Sequence, residues 1–189
     1  MPMSFSRSLL RLAGRVLARG PARRFMRHQD GATTIEFAMV VAPFMALMFA
    51  IMETAIVFFA GQTLETAAAD ASRLIMTGQA QQQAFDQVKF KDAVCARVFA
   101  LFDCKNGLLV DVRKYTTFSS AQTGKPIDSS GNLINNFVYQ PGGPGDIVVV
   151  RVMYEWPVYV SLLGFNLADM ANGKRLLIAT SAFRNEPYL

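Results

Sequence analysis

Residues 31–60 read GATTIEFAMVVAPFMALMFAIMETAIVFFA, and this stretch decides the architecture. It opens on small and polar residues, takes in Glu36, and then turns apolar. The 24 residues from Phe37 to Ala60 contain one charged side chain, Glu53. As a helix they would rise about 36 Å at 1.5 Å per residue. A bilayer's hydrocarbon core is about 30 Å thick. The stretch is therefore long enough to span a membrane with slight tilt. The competing reading is a helix buried inside a soluble protein, but 189 residues supply too little chain to wrap it on all sides.

The flanks set an orientation. Before the stretch stand Arg7, Arg11, Arg15, Arg19, Arg23, Arg24 and Arg27 against a single acid, Asp30. The net charge of +5 thus belongs to this leader, because the rest of the chain holds 12 basic and 13 acidic side chains. A nucleic-acid partner has little support, since the bulk of the chain is near neutral. The positive-inside rule puts the leader in the cytoplasm and everything beyond Ala60 on the far side. Two readings of the leader stay open: a short basic helix on anionic lipid, with arginines every four residues, or a disordered basic tail. A cleaved secretory signal fits poorly, because its apolar run is usually 7–15 residues. Arg23-Arg24-Phe25 matches a twin-arginine signal only in part.

The expected division is a basic leader over 1–31, a transmembrane helix over 34–60 and an outer domain over 61–189. The helix need not stop at the bilayer surface. Leu64, Ala67, Ala68, Ala71, Leu74 and Ile75 form one stripe at spacings of three and four, which extends it to about Thr77, with Gly78 as C-cap. Pro43 removes one backbone donor and predicts a kink or local unwinding. A second helix is expected over Gln82–Phe102. The period then changes to two. Leu108 to Tyr115 and Asp146 to Tyr154 read as strands, and so does Lys174 to Phe183, with Leu176, Ile178 and Thr180 inward. Ser119 to Asn136 is polar and reads as a long loop with a mobile tip. The segment 162–170 would lie on the membrane or tuck under the sheet. Strands joined by turns beside helices predict an α+β fold with an antiparallel sheet.

No catalytic set emerges. The chain has no G-x-S-x-G, H-E-x-x-H or phosphate-binding loop, and its only histidine, His28, lies in the leader. No enzyme, cofactor or metal site is expected. Cys95 and Cys104 are the only cysteines. The topology puts both in an oxidising compartment, and the loop between them is short but closable, so a disulfide is expected.

The two acids of the apolar stretch carry most of the functional information, because a carboxylate in hydrocarbon is costly and usually has a partner or a task. If the chain were cut after Gly31, the new ammonium of Ala32 could pair with Glu36 and neutralise it. Otherwise Glu36 marks the cytoplasmic interface. Glu53 would lie roughly 7 Å off the midplane. The two acids are about 260° apart around a helix, so they face different neighbours, as in a packed assembly. A protonated Glu53 without a role is the other reading.

Gly31-Ala32-Thr33-Thr34-Ile35-Glu36-Phe37, between a basic leader and an apolar helix, resembles the class III processing site of type IV prepilins. The wider pattern is similar to the TadE-like minor pilins, or pseudopilins, of the tight-adherence (Flp) pilus system. It comprises GATTIEFAMVVAPF, the late Glu53, the Ala-rich run closing on Ala71-Ser72-Arg73, and the ending Arg184-Asn185-Glu186. Ser72 departs slightly from the family's usual Ala-Arg ending. The resemblance implies cleavage after Gly31 by a prepilin peptidase, with Gly31, Ala32, Glu36 and Phe37 as the processing site. It implies that Glu36, Pro43 and Glu53 make contacts within the membrane. It also implies a non-catalytic role in a bacterial inner membrane, with a periplasmic outer domain. The implied partners are the major Flp pilin, other minor pilins, the inner-membrane platform proteins, membrane lipid and, indirectly, the assembly ATPase. The alternative is a single-pass anchor for a periplasmic binding or structural module unrelated to pili.

Overall fold

A computed structural model describes residues 30–98, 102–159 and 166–188. The chain divides into two compact units, Met1–Met48 and Phe49–Leu189. Residues 1–29 of the leader, His28 among them, lie outside the described residues, as do residues 99–101 of the expected second helix and residues 160–165, which take in the start of the apolar segment.

Helix α1 spans Asp30–Met76. It starts earlier than Thr34, so Gly31 stands in its first turn. The opening N–H groups of a helix have no intrahelical partner. Pro43 lies inside the helix and does not end it. The loss of its N–H leaves the Met39 carbonyl without the usual donor. The threonines are neutralised locally: the hydroxyls of Thr54, Thr63 and Thr66 donate to the carbonyls of Ala50, Phe59 and Gln62, one turn back. Within the first unit the described side chains are almost all exposed, including Ile35, Phe37, Met39, Val40 and Phe44. Among the described residues α1 is the one helix long and apolar enough to cross a membrane, and none of its most apolar 18-residue window is buried.

The second unit contains the rest of α1, helices α2 (Gln79–Gln82), α3 (Gln87–Cys95) and α4 (Cys104–Gly107), and strands β1 (Leu108–Tyr115), β2 (Ile147–Pro157) and β3 (Lys174–Arg184). The strands form an antiparallel sheet in the order β1-β2-β3. The expected single helix over Gln82–Phe102 is broken. Ala84 takes a left-handed φ of 50°, and Asp86 is extended and caps α3 by accepting the Lys89 N–H at 2.7 Å. A short polar side chain that satisfies a first-turn donor starts a new helix more readily than it continues an old one.

Register explains the core. Val110 faces Val152, Val112 faces Val150, and Val152 faces Ala179, which puts these side chains on one face of the sheet. That face packs on the α1 stripe of Val57, Ala60, Leu64, Ala67, Ala68, Ala71 and Ile75, together with Phe90 and Val94 of α3. Four of the seven α1 residues are alanines, which lets the helix backbone approach the sheet closely.

The other face is covered as well. Met153, Met170 and Leu176 form a second small core with Leu109, Ile127, Leu133, Phe137 and Ile178. The stretch expected to be a mobile loop is therefore a lid. Asp128 organises its tip by accepting the N–H groups of Ser130 and Asn132, and Ile127 bridges to Leu133. Because both faces are covered, Leu176 and Leu177 of β3 are both buried, whereas Thr180, expected inward, is exposed. Of the apolar segment at 162–170, the described end does tuck under the sheet through Met170.

The chain's end closes on the end of α1. Gly78 adopts φ +79°, a conformation that favours glycine, and a Cβ there would collide with the Tyr188 ring. The Glu186 N–H donates to the Met76 carbonyl at 2.9 Å, and Asn185 Nδ2 donates to the carbonyls of Pro141 and Gly143.

Candidate functional site

Three places could carry function: the exposed start of α1, the buried acid within it, and a charge cluster on the lid face of the sheet. At the first, Gly31 and Ala32 lie in the opening turn, and Glu36, Phe37 and Pro43 are exposed. Large apolar side chains over this stretch are solvent-facing: Phe37 is 68% exposed and Met39 73%. Such a surface is unstable in water and needs lipid or another helix against it.

Glu53 differs. It is 7% exposed, and its Oε1 accepts the Tyr159 N–H at 2.6 Å, from the segment that follows β2. The residue therefore has a partner within its own chain. It also starts the buried stripe that continues through Val57 and Ala60, so the folded domain takes hold of α1 seven residues before Ala60. The apolar count along the sequence could not reveal this, because the same side chains suit lipid and protein core alike.

The charge cluster was not foreseen. Asp111 on β1 lies directly across from Arg151 on β2, and both are buried, at 0% and 5% exposure. Arg151 Nε and Nη2 donate to Asp111 Oδ2, and Arg113 Nε donates to both oxygens of the same carboxylate. The Val138 N–H adds a further donor at 2.9 Å. Burial alone would raise the Asp111 pKa. The hydrogen bonds from Arg151, Val138 and Arg113 and the Arg151 charge outweigh it and hold the carboxyl below its ordinary range. The period-two pattern does put Asp111, Arg113 and Arg151 on one face. The signal that this face is covered lay in Ile127, Leu133 and Phe137, three apolar residues scattered through a polar stretch.

Cys95, at the end of α3, and Cys104, at the start of α4, are joined by a disulfide with Cα atoms 5.7 Å apart. Among the described residues no group of His, Cys, Asp and Glu side chains could hold a metal ion.

The TadE-like protein family matches residues 31–73. No curated protein and no solved structure matches the chain. A TadE-like domain is thus present, and it points to a pilus-related role. The match covers less than a quarter of the chain and ends three residues before α1 does. The family likeness is therefore a property of one helix, and the sheet lies beyond it.

Proposed function

We propose that this protein is a minor-pilin-like component of Flp pilus assembly, processed between Gly31 and Ala32 and held in the bacterial inner membrane by α1. The observation that carries this reading is the coincidence of the TadE-like match with a single helix whose first half exposes apolar side chains on all sides. Residues 33–52 would form the span. Twenty helical residues rise about 30 Å, the thickness of the hydrocarbon core. An exit near Met52, earlier than Ala60, is favoured because Glu53, Val57 and Ala60 are already engaged with the folded domain. The seven leader arginines favour a cytoplasmic N-terminus and a periplasmic domain.

In this reading a prepilin peptidase removes the leader. The new ammonium of Ala32 then pairs with Glu36, so that both charges are neutralised before they enter an apolar surrounding. The exposed apolar surface of α1 packs against lipid before assembly and against the major Flp pilin or sister minor pilins afterwards, with the platform proteins guiding the exchange. Phe37 and Pro43 lie on that surface. The role is one of packing and priming, supporting pilus biogenesis and adhesion.

Deleting the gene in its own bacterium tests the role. Surface filaments and filament-dependent adhesion are expected to be lost, and to return with the intact gene but not with Glu36→Ala. Filament number and adhesion unchanged by the deletion would contradict the proposal.

A further inference from the structure

The charge cluster on the lid face does not balance. Arg113 and Arg151 share one carboxylate, that of Asp111. Lys125, on the lid, has its own partner in Asp169. One positive charge is therefore left over among these residues. Arg151 spends Nη1 on the Gly124 carbonyl at 3.2 Å, and Arg113 spends Nη2 on the Asn136 backbone and side-chain oxygens. Among the described residues Arg113 Nη1 donates to no protein acceptor. The Arg113 side chain is 25% exposed, so this donor is open to solvent and available to a ligand.

These arginines line an open cleft of about 360 Å³, together with Gln122, Lys125, Ile134 and Asn136. That volume is at the small end of ligand pockets. The lining combines a surplus cation, an amide that can donate, and the apolar side of Ile134. A surplus of one charge suits a monoanion, whereas a phosphate dianion would leave the site negative. A planar carboxylate also matches the forked N–H geometry of a guanidinium. We propose that this cleft is a carboxylate-binding site centred on Arg113. Its ligand is either a small aliphatic monocarboxylate or an Asp or Glu side chain presented by a docking protein. The site is independent of the TadE-like helix and gives the sheet domain a task of its own.

Thermal unfolding of the full chain in detergent micelles tests it. The probes are sodium acetate, sodium glutamate and a short blocked peptide with a single Glu, each against sodium chloride at equal ionic strength. At ten times Kd the expected rise in Tm is roughly 3–6 °C and saturable. Arg113→Gln should abolish it. Should that variant fail to fold, Gln122→Glu at an exposed position serves instead. It supplies the cleft with the chain's own carboxylate, so it should raise the Tm without ligand and remove the response. Saturation by acetate and glutamate at lower concentration than the peptide identifies a free small carboxylate. Tighter binding of the peptide identifies a protein side chain. No rise beyond that in chloride, or an equal rise in both variants, would overturn the proposal.

Discussion

Replacing Asp111 by alanine is expected to destabilise the folded domain by about 3–5 kcal/mol, the usual cost of leaving one member of a buried ion pair alone. Arg151 is 5% exposed and would keep only the Gly124 carbonyl as a hydrogen-bond partner. The Val138 N–H, two residues past the lid, would lose its acceptor too, and with it one tie to β1. Denaturant unfolding of the full chain in micelles would measure the loss. The double variant Asp111→Leu with Arg151→Met should recover most of it, because a well-packed apolar pair avoids the uncompensated charge. A single variant within 1 kcal/mol of the wild type would show that water reaches Arg151. The same carboxylate makes stability depend on pH. Its folded pKa is lowered from 3.8, so the unfolded chain binds the proton first. The stabilisation is complete above the ordinary carboxylate range and is lost as pH falls through the lower folded value. Asp146, held down chiefly by the Gly143 N–H, acts in the same direction. Asp111→Asn should flatten the acid limb of the curve.

Phe90→Ala is expected to cost a similar amount, about 3–5 kcal/mol, typical of a fully buried aromatic ring. Helix α3 has nine residues, too few to persist in water alone. Its hold on the sheet is the pair Phe90 and Val94, both 0% exposed, with the hydrogen bond from Gln87 Nε2 to the Val110 carbonyl and the disulfide at its end. Phe90 also packs against Tyr139, ring centroids 5.8 Å apart. The Tyr139 hydroxyl is buried, and burial, aided by the Asp86 charge, pushes its pKa up to about 12. Removing Phe90 would open a cavity beside this phenol and loosen α3. The check is the unfolding free energy together with faster reduction of the Cys95–Cys104 bridge by a mild thiol. A loss under 1 kcal/mol with an unchanged reduction rate would mean that α3 is held by something else.

The parts of the fold that could be read from the chain are those where one periodicity dominates. The stripe from Leu64 to Ile75 serves a single buried face, so spacing alone identifies it, whereas Val148, Val150 and Val152 share one face of a strand whose other face, with Val149 and Met153, is equally buried. What could not be read depends on contacts distant in sequence. Thr180 lies on the face also occupied by the buried Leu176, and only the reach of the lid decides which of the two is covered. Ala84 interrupts the expected long helix through a left-handed backbone that no alanine propensity would suggest. Gly31, Glu36 and Phe37 stand out through a local motif. Asp111 and Arg151 are 40 residues apart and become a site only through register. The Tyr159 N–H that Glu53 accepts comes from 106 residues further along the chain, beyond the reach of any local pattern.

The measurement that bears most directly on the proposed function is the N-terminal residue and intact mass of the protein taken from native membranes, beside those of a Gly31 variant. A chain that begins at Ala32, and that keeps its leader when Gly31 is replaced, is the expected result. It would join the exposed apolar half of α1 to the prepilin pathway. A chain that retains its arginine-rich leader in the wild type would contradict processing and leave α1 as a plain anchor for the sheet domain.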